Sequence, residues 1–400
     1  MGVVSLHPTE TLFFPSAGIC EMGYTKEEYK ELEKLIYEMM DPMLTQDEKE
    51  DKYSYDIEDF LLRVVFHNLY NFGSMTTYCM QYINCTNGCL ECPMKNYQKY
   101  ADRVRASCKK LFTHCEWNGV EIDCCKYFKP VRTTLGTCYI VNSLQVIDKD
   151  SKDWLDMTVG MRQGNGNLNL TVTKSSSLYI LNEEDIPHIL LTTLNFPQIP
   201  EGYDGELLLS VQDVTNDPYL RNIDPAQRKC VFPDEPSKSA YRKYSYSTCV
   251  TECLKKAQIK ICNCTHYNLI VDDNDKSPEC DFYGLGCLDK NELLFPQTII
   301  MQPWRADGLD CTCMPSCNEK QINVIGRSSK IRDSTSDRSV SIRLQTLSTQ
   351  KYFRQAVREK IDVVVSVGGI LGLFMGASIL SFFELLYFFT LRTLKQRNAQ

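Results

Sequence analysis

Twenty cysteines in 400 residues constrain this chain more than any other feature. A reducing compartment seldom supports so many thiols without metal sites, whereas an oxidising one turns them into a disulfide framework. Most fall in two clusters. The first holds Cys79, Cys85, Cys89, Cys92, Cys108, Cys115, Cys124 and Cys125; the second runs from Cys230 to Cys317; Cys20 and Cys138 stand apart. Cys89-Leu-Glu-Cys92 has the spacing of half a zinc site. No second such pair follows at ligand distance, and the five histidines are scattered, so disulfides explain these residues without a metal. Sequons at Asn84, Asn169 and Asn263 agree with an extracellular location.

The second constraint lies near the end of the chain. Val363–Phe389 is apolar, and its first 21 residues, to Phe383, carry no charge. About 20 helical residues are needed to cross roughly 30 Å of hydrocarbon, so the stretch reads as one transmembrane helix. Gly368, Gly369, Gly372, Gly376, Ala377, Ser378 and Ser381 place small residues through its middle. Small residues let helices approach closely in lipid. Glu384 follows within the apolar run. An intramembrane carboxylate is costly unless it faces water, a partner or an ion path. The combination suggests an oligomeric pore rather than a plain anchor.

The expected organisation is an extracellular domain over 1–360, a membrane helix over 361–391 and a cytoplasmic tail over 392–400. Charge does not set this orientation: 343–360 carries five Lys/Arg and the residues after the span carry three. The cysteines and sequons decide it. The N-terminal residues have no basic n-region and no clean apolar core, so they are not a signal peptide. An upstream membrane helix is therefore expected to be missing from this sequence.

Elsewhere the patterns are local. Thr25 and Glu28 form a capping box ahead of a helix to Met40, and Ile57, Phe60, Leu61, Val64, Val65 and Leu69 recur at helical spacing. Leu12–Cys20 contains Pro15 and reads as an edge strand. Cys138–Val141, Leu168–Val172, Leu178–Leu181 and Leu207–Val211 read as an antiparallel sheet, with Tyr203-Asp-Gly as a turn. Cys249 and Cys253 share one helix face, and Gln321–Val324 and Ser339–Leu344 alternate as strands. A net charge of −7 argues against nucleic acid as a partner. No phosphate loop, nucleophile elbow or zinc-protease motif occurs, and nothing points to an enzyme.

These motifs together resemble the degenerin/epithelial sodium channel superfamily, most closely its insect pickpocket branch. Leu12–Cys20 is similar to the first palm strand. Cys115-Glu-Trp-Asn-Gly, Cys124-Cys125 and Gly136-Thr-Cys138-Tyr are similar to the finger-to-palm signature. Cys249-x3-Cys253-x8-Cys262-x-Cys264 and Cys311-x-Cys313-x-Pro-x-Cys317 are similar to the thumb signature, and Gly368-Gly369-x2-Gly372 through Ser378 to the pore motif. The resemblance implies an α+β membrane protein: a disulfide-rich, hand-like ectodomain with a palm β-sheet and helical finger and thumb, plus one C-terminal transmembrane helix in this chain. It implies a plasma-membrane subunit of a homo- or hetero-trimer with related subunits, sodium-selective and amiloride-sensitive, with permeant sodium and no cofactor. An extracellular chemical, mechanical or osmotic stimulus, or a ligand, would open it.

Residue by residue, the resemblance makes Gly376, Ala377 and Ser378 the selectivity filter, where the helix of many relatives becomes extended. Glu384 would lie below it on the cytoplasmic side. It implies Cys20–Cys138 and a thumb ladder of Cys230–Cys317, Cys249–Cys313, Cys253–Cys311, Cys262–Cys287 and Cys264–Cys280. Cys115 would pair with Cys124 or Cys125, leaving the remaining finger cysteines open. Two residues depart from the pattern. Val365 stands at a gating position, just ahead of the second helix, that is usually small. Gln227 replaces a thumb aromatic that couples thumb to wrist in acid-sensing relatives, which argues against proton gating. The alternative is a non-conducting, single-span regulatory or ligand-binding subunit.

Overall fold

Two runs of six residues, Ser16–Glu21 and Ser176–Leu181, are buried at every position. A strand of ordinary amphipathic pattern buries alternate residues, so these must lie inside a sheet covered on both faces. The computed structural model bears this out. It describes residues 2–5, 11–40, 57–66, 95–160, 162, 164–188, 195–236, 239–272, 274–291, 311–318, 320–331, 337–345, 350–355, 360–376 and 379–392.

Sixteen strands are described. They are β1 (Gly2–Ser5), β2 (Leu12–Phe13), β3 (Ser16–Glu21), β4 (Phe112–Trp117), β5 (Val120–Glu121), β6 (Phe128–Thr133), β7 (Gly136–Val141), β8 (Thr158–Val159), β9 (Asn167–Val172), β10 (Ser176–Leu181), β11 (Asn195–Ile199), β12 (Tyr203–Gln212), β13 (Val214–Asn216), β14 (Gln321–Ile331), β15 (Arg338–Leu344) and β16 (Gln350–Arg354). They form a five-stranded sheet β11-β10-β3-β7-β6, a six-stranded sheet β14-β12-β15-β9-β4-β5, a three-stranded sheet β1-β16-β13 and the pair β2-β8.

Ala17, Ile19, Leu178 and Ile180 on one face of the five-stranded sheet share a core with Leu168, Leu170, Leu207, Leu209, Val340 and Ile342 of the six-stranded sheet. The opposite face turns Cys20, Cys138, Ile140, Tyr179 and Leu181 into a second core with Ile186 and Tyr241. Cys20 and Cys138 are direct partners across β3 and β7 and are joined by a disulfide.

Three sequence expectations are corrected here. The Leu12–Cys20 stretch is not an edge: β3 is the central strand of its sheet, and Pro15 sits in the break before it. The strands do not form one antiparallel sheet but several, and β12 pairs β15 in parallel. Tyr203 and Asp204 begin β12, with the turn one step earlier at Glu201-Gly202. Covering both faces, rather than strand composition, set these differences.

The helices gather at one end. α1 (Lys26–Met40), α2 (Ile57–Phe66), α3 (Tyr97–Val104) and α5 (Phe282–Lys290) bury Ile36, Phe60, Tyr97, Val104, Phe282 and Leu285 together. The capping box forms as expected: Thr25 N–H donates to Glu28 Oε2 at 2.7 Å, and Glu28 N–H to Thr25 Oγ1 at 3.3 Å. Arg105 ties this layer to the five-stranded sheet. Its guanidinium donates to the carbonyls of Val65 (2.7 Å), Leu135 (2.9 Å) and Glu21 (3.2 Å). Gly136 is forced beside it. Its φ is +93°, and a Cβ there would come within 2.3 Å of the guanidinium carbon.

The helix of the region that the resemblance expects to be the thumb is α4 (Tyr246–Cys262), lying between α3 and α5 in chain order. It starts on a reciprocal box in which Thr248 N–H donates to Ser245 Oγ and Ser245 N–H donates to Thr248 Oγ1. Its base rests on the loop after β10, which carries Asn182, Glu183, Glu184 and Asp185. Ser316 donates to Glu184 at 2.7 Å, Ser247 donates to Asp185 at 2.8 Å, and Lys149 and Lys320 pair with Glu183. Glu183 and Glu184 are buried and Asp185 is half-buried, and the lysines meet only the first. Burial and the adjoining Asp185 raise the Glu184 carboxyl to about 7. Burial likewise raises Asp185, while the two lysines hold Glu183 below its ordinary value against its own burial.

The sign follows from linkage. A carboxyl raised in the fold favours the folded state at low pH, and that contribution fades as pH climbs from about 4.5 to 7. Glu184→Gln is therefore expected to flatten the loss of thermal stability across this window, by on the order of 3 kcal/mol. Melting curves of both proteins from pH 4.5 to 8 check this; parallel pH profiles would contradict it.

Candidate pore segment and its link to the ectodomain

The apolar run expected over 361–391 is described as two helical pieces on either side of the stretch that the resemblance expects to be extended. α6 (Lys360–Met375) stops at Gly376, whose φ is +61°, and α7 (Ile379–Leu386) begins again after it, continuing as a wider turn over Tyr387–Arg392. The left-handed backbone at Gly376 cannot propagate an α-helix, and glycine occupies it without steric cost. Sixteen residues make a helix of about 24 Å. No helix among the described residues is long and apolar enough to cross a membrane.

The side chains of these helices have no neighbours to bury them. Val365 is 66% exposed, Leu373 81%, Phe374 80% and Leu380 74%, and Val364, Ile370, Phe382 and Phe383 are also open. Water does not tolerate so large an apolar surface on all sides of a helix pair. The glycines repeat the point. A Cβ at Gly368 or Gly369 would meet nothing within 4 Å, so nothing within the described chain requires glycine there. Gly372 and Glu384 are exposed on α6 and α7 respectively. Val365 lies in the second turn of α6, not ahead of the helix, because the Val363–Val365 run contains no residue that stops one. Ala377 and Ser378 lie outside the described residues.

The three-stranded sheet contains the strand that precedes this segment in the chain. β16 pairs β1 in antiparallel register and β13 in parallel register, and it is the last strand before α6. Arg354 ends β16. Its Nη1 donates to the Cys317 carbonyl at 3.3 Å and approaches Cys230 Sγ at 3.0 Å. Asn216, its partner in β13, donates to the same carbonyl at 2.8 Å. Arg354's own carbonyl accepts from Asp217 N–H at 2.9 Å. The Cys230–Cys317 disulfide closes the thumb base, so the strand nearest the pore segment is hydrogen-bonded directly to it. Gln227 is exposed on the neighbouring short helix Pro225–Arg228.

Among the described residues there are eight disulfides and no free cysteine. The structure brings together Cys249 with Cys313, Cys253 with Cys311, Cys262 with Cys287 and Cys264 with Cys280. Of the two partners left open for Cys115, Cys124 takes it, and Cys125 bonds Cys108. Cys79, Cys85, Cys89, Cys92 and the Asn84 sequon lie outside the described residues. Asn169 sits in mid-strand on β9, with Nδ2 donating to Glu116 at 3.3 Å; Asn263 caps α4 and is exposed. No group of three or more His, Cys, Asp or Glu among the described residues is placed to hold a metal.

The sequence pattern did not single out Arg354, the Glu184–Asp185 pair or Arg105. Only the acids left a trace, as an Asn-Glu-Glu-Asp run set between apolar stretches.

A comparison with known families now decides the assignment. The family described as "Amiloride-sensitive sodium channel" matches residues 1–388. The chain belongs to the amiloride-sensitive sodium channel family. It is a family of ion channels, not of enzymes, and its members need no cofactor. Pickpocket protein 19 of Drosophila melanogaster is 24% identical over 322 residues, 70% of this chain and 60% of the relative. Sodium channel protein Nach of Drosophila virilis is 24% identical over 321 residues, 73% of this chain and 78% of the relative. Acid-sensing ion channel 2 of Danio rerio is 23% identical over 323 residues, 72% of this chain and 56% of the relative. The chain thus spans about three-fifths of the length of the first of these amiloride-sensitive sodium channel relatives.

Arg354→Met keeps the apolar stem but removes both contacts to the thumb base. The change is expected to destabilise that junction by about 1–3 kcal/mol. Hydrogen exchange should then speed up at 214–217 and 315–318 while the five-stranded sheet stays protected. Unchanged exchange at both segments would show that Arg354 does not hold the thumb base.

Proposed function

We propose that this chain is a subunit of a trimeric, amiloride-sensitive, sodium-selective channel of the plasma membrane, opened by an extracellular chemical, mechanical or osmotic stimulus. One observation carries the reading: an apolar helix pair, exposed on every side within the chain and broken at a left-handed glycine. Lipid and neighbouring subunits are the surroundings that such a surface requires. Non-helical backbone is tolerated at membrane depth only where protein or a water-filled path covers it. Backbone carbonyls freed at such a break can replace part of an ion's hydration shell.

In this reading residues 1–360 are extracellular. Gly376, Ala377 and Ser378 form the constriction, with Glu384 on its cytoplasmic side. Gly368, Gly369 and Gly372 allow close approach of α6 helices from related subunits. Val365 stands at the gate. A stimulus at finger or thumb reaches it through Cys230–Cys317, Arg354 and β16. The acid-rich thumb base, the family membership and the pickpocket and Nach relatives support an extracellular sensor above a sodium path.

Two recordings test this in cells that express the chain with a pickpocket relative. Ser378→Phe is expected to reduce single-channel conductance and alter the sodium-to-potassium ratio; if both stay as before, the constriction lies elsewhere. Val365→Gly is expected to lower resting current about tenfold, the factor given by 1.4 kcal/mol in the open–closed equilibrium. An unaltered resting current would mean that Val365 does not hold the gate. Surface assembly that suppresses the relative's current would favour a non-conducting regulatory subunit instead.

A further inference from the structure

The end of α4 joins two chemistries that can follow one another in one order only. Asn263, Cys264 and Thr265 form an N-glycosylation sequon. Asn263 is exposed and left-handed, with φ of 57°, at the C-cap of α4. Its carboxamide therefore stands at the surface of the finished thumb, where a bulky glycan can be carried. The rest of the sequon is shut away. Thr265 is 0% exposed, its Oγ1 donates to Gln258 Oε1 at 2.9 Å, and its N–H donates to the Pro278 carbonyl at 2.8 Å. Cys280 N–H donates back to the Thr265 carbonyl at 2.9 Å, and Cys264 is bonded to Cys280.

We infer that Asn263 carries an N-linked glycan, and that transfer and closure of Cys264–Cys280 compete for the same three residues. The step requires a lipid-linked oligosaccharide diphosphate as donor. A bond forms between Asn263 Nδ2 and the anomeric carbon. The bond from that carbon to the diphosphate oxygen breaks, and the lipid diphosphate leaves with the electron pair. The amide proton passes to a base of the transferase. A transferase must reach the threonine hydroxyl as well as the asparagine. In the folded thumb that hydroxyl is used by Gln258 and covered. Transfer must therefore precede disulfide closure, and the closed thumb then keeps the glycan on its outer surface.

Asn169 provides the contrast. It is in the middle of β9, paired on both sides, and its own Nδ2 donates to Glu116. A glycan there would displace that bond from a strand held between two others. Asn169 is expected to stay bare.

The inference rests on the extracellular placement of residues 1–360, and the test separates the two. The chain, preceded by the first membrane helix of a pickpocket relative, is expressed in insect cells with Asn84→Gln as background, and mobility is compared before and after peptide-N-glycosidase. One glycan is expected, lost in Asn263→Gln and retained in Asn169→Gln. Occupancy is expected to be partial in normal medium and to rise when dithiothreitol is present during synthesis, or in Cys280→Ser. The dithiothreitol arm does not depend on the folding of any variant. A chain with Cys264–Cys280 oxidised but no glycan removed by Asn263→Gln overturns the inference alone. Full occupancy that dithiothreitol does not change overturns the competition. A chain with neither glycan nor oxidised cysteines overturns the extracellular placement as well.

Discussion

The structure depends on one strand that is buried on both sides. β3 carries Ala17 and Ile19 toward the larger sheet and Cys20 toward the thumb side, and the disulfide to Cys138 lies directly across its register with β7. A slip of one residue would exchange the two faces of a strand. Here such a slip would drive Cys20 into an apolar core and break a covalent bond. The five-stranded sheet is thereby fixed as a double-sided ledge. The six-stranded sheet packs beneath it, and the thumb base and the Arg105 junction are built on its other side.

From that ledge the contacts lead toward the strand that precedes the candidate pore segment. The loop after β10 holds the thumb through Ser247 and Ser316, and the thumb returns through Cys317 to Cys230. Arg354 and Asn216 both meet the Cys317 carbonyl, so β16 is tied to the thumb on one side and precedes α6 on the other. Each link is polar or covalent and directional, whereas the side chains of the helix pair beyond are largely exposed among the described residues. A Cβ at Gly376 would meet nothing within 4 Å among the described residues, so its left-handed backbone is opposed by no close neighbour there.

Much of this was legible in the sequence where the signal is local. The Thr25–Glu28 box, the helical spacing of Phe60, Leu61, Val64 and Val65, and the thumb cysteines at i and i+4 depend on near neighbours and could be read directly. The apolar run was legible as composition, but its break was not visible to hydropathy, since one glycine at φ +61° changes direction without changing polarity. The place of Leu12–Cys20 was misread because Pro15 suggests an edge, whereas burial on both faces depends on strands more than a hundred residues away. Arg354 and the Glu184–Asp185 pair were illegible for the same reason. An arginine or an acid in sequence does not announce whether its partner is a distant carbonyl, a serine hydroxyl or water. Among the candidate pore residues, Gly376 acquired a physical reason from its backbone, whereas the open space around Gly368 and Gly369 among the described residues gives none.

The central claim is that the exposed helix pair meets copies of itself or of its relatives around an ion path. Cysteine substitution at Gly368 or Gly369, where a side chain has room, probes that contact most directly. Membranes from cells that express the variant alone or with an equivalently substituted pickpocket relative are oxidised mildly and run without reductant. The account predicts covalent dimers between subunits, together with a sodium current that changes when the bond is reduced. Monomers only, in both pairings, with the chain at the cell surface, would contradict it.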